Sequence, residues 1–262
     1  MWDLRIEQVI EKLKKGKRID GRKLDEYRPL EIKAAFSQNA DGSAWVKLGA
    51  TEVVCGVKFG LGEPYPDSPD EGALSVNAEL LPIASPVFEV GPPNEDATEL
   101  ARVVDRGIRE AKAIDFKKLC IEEGEKVWIV FIDIYAINDD GNLFDASSIA
   151  ALTALLNARI PKLEDGEIVK KEYSGKLKLG KLPLLTTFAK ISNFILLDPC
   201  LAEEKSKEGR FSVATTEDKK ITAMQKGEVG AFKLKELENC IDLAFEKSAA
   251  VRKTIKESIG ED

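Results

Sequence analysis

The residues with the clearest chemical potential lie in the stretch DDGNLFDASSIAALTALL, residues 139–156. An acidic glycine turn there leads into a helix of small residues. A helix N-terminus has unpaired N–H groups and a positive dipole end, so it attracts anions. Asp145, however, places a carboxylate at that end. Asp139, Asp140 and Asp145 could supply oxygen ligands to a divalent metal, but such a turn is more commonly only a turn and helix cap. We predict no metal site and no cofactor.

A row of arginines follows the helical pattern of residues 97–114. Arg102 and Arg106 are one helical turn apart, and Arg109 shares their face at a three-residue step. Planar guanidinium groups can each bind a phosphate through two hydrogen bonds, so this row could act as a phosphate clamp. The alternative is a solvated helix face with local ion pairs. The acids available for such pairs are Glu99, Asp105 and Glu110.

The composition excludes several mechanisms. The 262 residues include no histidine, which removes imidazole bases, His-containing triads and His metal ligands. With 39 basic and 46 acidic residues the net charge is −7, so any nucleic-acid contact must come from a local basic patch. The four cysteines are too irregularly spaced for a metal knuckle, and the N-terminus is charged with no apolar signal segment. We expect a reduced, soluble, cytoplasmic protein with no membrane segment.

The elements that position these residues follow from apolar spacing. Residues 4–13 predict a short amphipathic helix, and the arginine row lies on a second helix. Strands of the first half are predicted at residues 30–36, 44–48, 53–59, 74–81 and 126–137. The first three should form an antiparallel meander. The last is apolar at nearly every position and should be central in its sheet.

The second half repeats the order of strands followed by a helix. Residues 186–197 and 211–215 predict strands, and residues 234–258 predict a terminal helix. This duplication predicts an α+β fold in one domain, residues 1–262, built from two βαβα-like halves with mixed sheets. The halves span about residues 1–160 and about residues 161–262.

Polar residues near the N-terminus have an expected structural role. Arg18, Asp20, Gly21 and Arg22 should fix the N-terminal segment by hydrogen bonds and ion pairs. Asp198 stands beside a proline at a predicted strand end, and we expect it to cap that strand.

Several segments resemble the RNase PH family of phosphorolytic ribonucleases. They are RIDGRKLDEYRPLEI, GATEVVCGVKFG, ELARVVDRGIREA and IDIYAINDDGNLFDASSIAAL, all within the first three fifths of the chain. With GEPYPDSPDEG and LLDPCLAEEKSKEGRFSVAT they are most similar to the non-catalytic ring subunits of archaeal exosomes. The resemblance implies the RNase PH fold, which is like domain 2 of ribosomal protein S5.

The resemblance also implies that two catalytic features are lost. The phosphate-binding stretch of the family reads roughly DGGTRTA, and Leu143, Phe144 and Asp145 stand in place of its Thr-Arg-Thr. The catalytic acid of the family lies in a stretch like EADLPVA, whereas EGRFSVA places Arg210 at that position. A guanidinium stays protonated at physiological pH and cannot transfer the required proton. No catalytic residue is therefore predicted.

The role that the resemblance implies is structural. Three heterodimers of this chain with a catalytic RNase PH-like subunit would form a hexameric ring around an RNA channel. RNA-binding cap proteins with S1/KH or zinc-ribbon domains would sit on one face. Arg102, Arg106 and Arg109 match positions at which such an inactive subunit helps to grip single-stranded RNA beside the active site of its neighbour.

Two alternatives stay open. The first is a self-sufficient phosphate-dependent exoribonuclease, which would need another phosphate site and another acid to compensate for Phe144 and Arg210. The second is an RNA-independent assembly module, whose arginines pair with acids on a partner.

Overall fold

A mixed sheet organises the first half of the chain. The computed structural model describes residues 2–260. The helices of this half are α1 (Trp2–Lys14), α2 (Glu95–Glu110) and α3 (Leu143–Leu156), with a short 3-10 helix at Phe116–Leu119. Its strands are β1 (Leu30–Ala34), β2 (Gly42–Leu48), β3 (Thr51–Gly62), β4 (Ala73–Leu80), β5 (Cys120–Glu122) and β6 (Lys126–Asn138).

The predicted meander and the predicted central strand are both confirmed. Strands β1, β2 and β3 pair antiparallel in chain order. Strand β6 lies between β3, to which it is antiparallel, and β4, to which it is parallel. The short β5 pairs with the start of β6. Because β6 is paired on both sides and its inner face is buried, its apolar sequence has a direct structural reason.

An antiparallel sheet organises the second half. Its elements are β7 (Arg159–Glu164), β8 (Glu167–Lys176), β9 (Leu184–Ile191), β10 (Phe194–Leu197), α4 (Leu201–Glu204), β11 (Gly209–Thr215), β12 (Ile221–Gly227) and α5 (Leu234–Ser258). The sheet order is β10-β9-β11-β12, and β7 and β8 form a separate hairpin. The prediction of mixed sheets therefore holds for the first half only. In the second half, neighbouring strands all pair antiparallel.

The second half also differs from prediction in two local features. The apolar run at residues 186–197 is two strands, because Ser192 adopts φ 55° and turns the chain between β9 and β10. The hairpin of β7 and β8 was not predicted, since apolar spacing indicated neither a helix nor a strand in most of this segment. Its side chains are largely polar and exposed, so hydrophobic periodicity could not reveal it.

Helix α3 is the centre of the core. It is buried around nearly its whole circumference and packs against strands β2, β3 and β9. The main core cluster joins α3 to residues of the second half, among them Leu184, Ala214 and Ile255. The two halves therefore share one core, while the division near residue 160 stays a prediction. No helix within residues 2–260 combines the length and hydropathy needed to cross a membrane.

Candidate functional site

The acidic glycine turn closes the N-terminus of α3 with the chain's own polar groups. Asn142 adopts φ 55° and its side chain accepts a hydrogen bond from the backbone N–H of Asp145, at 3.4 Å. Gly141 adopts φ 86°, which favours glycine. A larger residue would not fit either, because its Cβ would lie 2.7 Å from the backbone of Cys200. The helix end is thus capped and buried.

The three aspartates of the turn do not converge on a cation. Asp139 accepts a hydrogen bond from the backbone N–H of Gly141 at 3.0 Å, which stabilises the turn itself. Asp140 lies 3.4 Å from Arg28, and Asp145 points into the interior. No three Cys, Asp or Glu side chains are grouped as metal ligands in the part of the chain whose side chains the structure describes, residues 6–260.

Phe144 and Arg210 pack directly against each other. The guanidinium of Arg210, on β11, lies 4.2 Å from the centroid of the Phe144 ring at the start of α3. The same guanidinium donates a hydrogen bond to Glu99 on α2. Gly227, opposite Arg210 on β12, leaves the room for this side chain, since a Cβ there would lie 2.6 Å from Arg210 Nη2. The two positions singled out in the sequence therefore occupy one place in the fold.

These residues line a cleft of about 370 Å³ between α2, α3, α4 and the end of β12. Its wall contains the aromatic and aliphatic side chains of Phe88, Leu143 and Phe144. Its charged lining residues are Asp96, Glu99, Asp139, Glu204, Glu228, Lys205, Lys207 and Arg210. Five carboxylates against three cations give a formal charge of −2, which opposes the binding of an inorganic phosphate. Burial also raises the pKa of Glu204 above its ordinary value.

The arginine row divides into two exposed residues and one structural residue. Arg102 and Arg106 are exposed on α2, and among the side chains described, those of residues 6–260, no carboxylate oxygen lies within 4.0 Å of either. Arg109 instead pairs with Asp105 at 2.8 Å and donates to the carbonyl of Leu74 on β4. Arg109 therefore anchors α2 to the sheet, while Arg102 and Arg106 are available for a phosphate.

The acids proposed as partners of these arginines are engaged elsewhere. Glu99 accepts hydrogen bonds from Arg210 and Gln225, and Asp105 binds Arg109. The third acid, Glu110, forms no ion pair with any described residue. The ion-paired alternative for Arg102 and Arg106 therefore has no support in their surroundings.

A buried ionic network beside the turn was missed by sequence reasoning. The carboxylate of Asp198 is fully buried and accepts hydrogen bonds from the Arg28 side chain at 2.8 and 3.0 Å and from Arg22 at 3.0 Å. Asn142 donates to the same carboxylate at 2.7 Å. Asp198 therefore joins the N-terminal segment to the start of α3, which is a larger role than the strand cap that was predicted.

The expected fixing of the N-terminal segment is confirmed. Arg18 is fully buried and binds Glu203 of α4 through two hydrogen bonds, at 2.5 and 2.9 Å. Arg22 pairs with Asp20 at 2.7 Å. In the sequence, this role was indicated by closely spaced arginines and acids in a segment that lacks the apolar periodicity of a helix or a strand. The partners in the second half, Glu203 and Asp198, lie more than a hundred positions away and had no such signal.

Asp145 is a buried acid with an altered titration. Its Oδ2 atom accepts hydrogen bonds from Tyr27, Asn142 and the backbone N–H of Thr187, whereas Oδ1 has no partner. Burial raises the pKa of Asp145 to about 6, and the charge of Asp198 adds to the effect. The same burial, with the nearby Asp145 charge, raises the pKa of Tyr27 well above its ordinary value.

The substitution Asp145→Asn should change how stability depends on pH. In the folded state the pKa of Asp145 is about 6 against an ordinary value of 3.8, so the proton stabilises the fold below about pH 4 and this stability is lost as the pH rises through 6. Above that pH the buried charge costs about 3 kcal/mol. The amide removes this charge. Denaturant unfolding should therefore show the variant gaining up to about 3 kcal/mol on the parent between about pH 4 and about pH 7.5.

The matched control is Asp242→Asn, the same chemical change at an exposed position of α5. It should shift stability equally at both ends of this pH range. An Asp145→Asn variant that follows the parent across the range would contradict the assignment.

Comparison with known proteins shows which family the chain resembles. The model of domain 1 of the 3′ exoribonuclease family, RNase PH, matches residues 26–161, and that of domain 2 matches residues 181–247. The exosome complex component Rrp42 of Thermococcus gammatolerans is 48% identical over 258 residues, 97% of this chain and 94% of the relative. The Rrp42 component of Methanopyrus kandleri is 50% identical over 252 residues, 95% of this chain and 94% of the relative.

A solved structure agrees with these relatives. A chain of the Archaeoglobus fulgidus exosome, solved with RNA bound to the active site, superposes with a TM-score of 0.92 at 46% identity. The match covers 97% of this chain and 99% of that chain. The α+β fold predicted from the sequence is thus the fold of an exosome chain. Since the two domain models cover most of the sequence and the relatives cover nearly all of it, the chain belongs to the RNase PH family of 3′ exoribonucleases.

Proposed function

We propose that this chain is a non-catalytic ring subunit of an archaeal exosome, which supports 3′-to-5′ phosphorolysis of RNA by a catalytic neighbour. The observation that carries the proposal is the contact between Arg210 and Phe144. The Arg210 guanidinium stacks on the Phe144 ring and binds Glu99, so a cation and an aromatic ring fill the place where the family's acid and phosphate ligand are expected.

The chemistry of phosphorolysis supports this assignment. The reaction needs a bound phosphate as nucleophile and a group that protonates the leaving 3′ oxygen. The cleft lined by Phe144 has a formal charge of −2, and the N-terminus of α3 is already capped by Asn142. Arg210 cannot supply the proton. The rival function, a self-sufficient exoribonuclease, has no corresponding set of groups in this cleft.

Exposed apolar side chains on one loop favour it as the surface that contacts the neighbouring subunit. Ile83, Val87 and Val90 lie on the loop between β4 and α2 and are 71, 64 and 84% exposed. Apolar side chains grouped in this way suit a contact with another protein chain. We assign this loop to subunit pairing in a ring of three heterodimers with the catalytic RNase PH-like subunit. We also propose that RNA-binding cap proteins with S1/KH or zinc-ribbon domains sit on one face of this ring. The proposed location is the cytoplasm.

RNA contact is assigned to Arg102 and Arg106. They are exposed, one helical turn apart and without carboxylate partners among the described residues, so their guanidinium forks can each bind a phosphate. Arg109, the third predicted contact, also holds α2 against β4, and its contact with RNA stays a prediction. Such contacts are independent of base sequence.

The double substitution Arg102→Ala and Arg106→Ala tests this role in the reconstituted ring. Loss of two phosphate contacts should weaken binding of single-stranded RNA about tenfold or more. The slope of log affinity against log salt should fall by about 1.4 per subunit bound, since each contact on a single strand contributes about 0.7. Fluorescence anisotropy across a salt series measures both, and size-exclusion chromatography reports whether the ring is intact.

The matched control is Lys235→Ala with Lys253→Ala, which removes two exposed cations from helix α5. Loss of assembly by the arginine variant would favour the RNA-independent interface instead. If neither RNA binding nor assembly changed, both assignments would be wrong.

A further inference from the structure

A bulge in β8 carries two lysines that do not line the cleft at Phe144 and Arg210. Pro161 of β7 pairs with Tyr173 and the next residue, Lys162, pairs with Val169, so residues 170–172 of β8 have no partner on β7. Lys171 adopts φ 63° within this bulge. Bulges re-aim side chains from the regular alternation of a strand. Both Lys170 and Lys171 are exposed.

The bulge borders a groove of about 230 Å³ that is lined by basic, amide, aromatic and aliphatic side chains and by the carboxylate of Asp41. Lys58 enters from β3, and Gln38 and Asn39 enter from the β1–β2 turn. Tyr173 forms part of the groove wall, and the Arg159 guanidinium lies 4.0 Å from the centroid of its ring. No residue of α2 lines this groove, so it is separate from Arg102 and Arg106.

The positive charge of the groove is largely free. The acids nearby are Asp41, which accepts from the backbone N–H of Phe59 at 2.9 Å and lies 3.4 Å from Lys58, and Glu172, which pairs with Lys162 at 3.3 Å. Among the side chains of residues 6–260, no carboxylate oxygen lies within 4.0 Å of the cations of Lys170, Lys171 or Arg159. On a chain of net charge −7, such a local excess favours a polyanion as the ligand.

The stacked Arg159–Tyr173 pair adds a second recognition element. Nucleobases of single strands stack on aromatic rings and on guanidinium planes, and this stacking tolerates any sequence. Lysines beside such a platform contact the phosphates of the same strand. A folded acidic protein surface would be attracted by the lysines but would gain little from the platform.

We propose that this groove, lined by Lys58, Lys170, Lys171 and Tyr173, is together with the Arg159 guanidinium stacked on Tyr173 a second contact for single-stranded RNA. Lys170 and Lys171 bind consecutive backbone phosphates, and a base stacks on the Arg159–Tyr173 pair. The inference rests on the proposed function, since it gives the ring a contact with RNA beyond the arginines of α2. It extends the length of strand that one subunit holds.

The substitutions Lys170→Gln and Lys171→Gln test the groove in the reconstituted ring with α2 unchanged. The probe is a fluorescent oligoadenylate of about 25 nucleotides, longer than the roughly 4–16 nucleotides of a single binding groove. We expect affinity to fall severalfold and the salt slope to fall by about 1.4, as for two single-strand phosphate contacts. The control is Lys176→Gln with Lys178→Gln, two exposed lysines that follow on the same segment and do not line the groove.

A photo-crosslink gives a readout independent of charge. RNA carrying 4-thiouridine should crosslink to a peptide containing Tyr173. Equal losses for the two lysine pairs, or an unchanged affinity for both, would overturn the proposal. Loss of ring assembly with RNA affinity retained would mark the groove as a protein contact and overturn it as well. Failure of the parent ring to hold RNA would instead count against the proposed function itself.

Discussion

Replacing Asp198 by alanine should be the most destabilising single change in the buried network, costing about 3–5 kcal/mol of unfolding free energy. Its carboxylate is fully buried and accepts hydrogen bonds from Arg22, Arg28 and Asn142 and from the backbone N–H of Arg28. Without it, the guanidinium of Arg28 loses its main counter-charge in the interior. An uncompensated buried charge costs more than the ion pair itself contributes.

Denaturant unfolding of the isolated chain measures this effect. Asp198→Asn keeps the shape and part of the hydrogen bonding, so it should lie between the parent and the alanine variant. Asp242→Ala removes an exposed carboxylate from α5 and should change stability by less than about 0.5 kcal/mol. Equal unfolding free energies for the parent and Asp198→Ala would show that the network does not hold the N-terminal segment.

Much of the fold follows from local apolar spacing. Helix α5 begins at Leu234 and ends at Ser258, as its pattern predicts, and Asn94 caps α2 by accepting from the backbone N–H of Ala97. The β7–β8 hairpin was missed because its burial is slight and its sequence is polar. The antiparallel sheet of the second half could not be derived either, since strand direction depends on connections that local spacing does not encode.

Individual residues of the candidate site could be predicted from the sequence, but the contacts between them could not. The resemblance to the family singled out Phe144 and Arg210 separately, but only the folded chain brings the guanidinium onto the ring. The division of the arginine row depends on Asp105, whose position one turn before Arg109 is visible in the sequence. Whether Asp105 pairs with Arg109 or with Arg102 is set by the packing of α2 on β4, which gives Arg109 the Leu74 carbonyl as a second acceptor.

The second large effect expected is on catalysis itself. Absence of a proton-transferring acid lowers a rate by about 10²–10⁴, and absence of an electrostatic ligand for the reacting charge lowers it by a further 10²–10³ or so. On the proposal that Arg210 and Phe144 stand in place of both groups in this cleft, the chain alone should degrade RNA at least about ten-thousandfold more slowly than the ring it joins.

The most direct test of the account is phosphate-dependent release of nucleoside diphosphates from a short RNA. The chain alone, the catalytic RNase PH-like subunit alone and the reconstituted mixture are compared at one fixed salt concentration. A parallel series with sulfate in place of phosphate identifies any hydrolytic contaminant. We predict no phosphate-dependent release by this chain and the highest rate in the mixture. Robust release of nucleoside diphosphates by this chain alone would contradict the account, because it would require a phosphate site and an acid other than those replaced by Phe144 and Arg210.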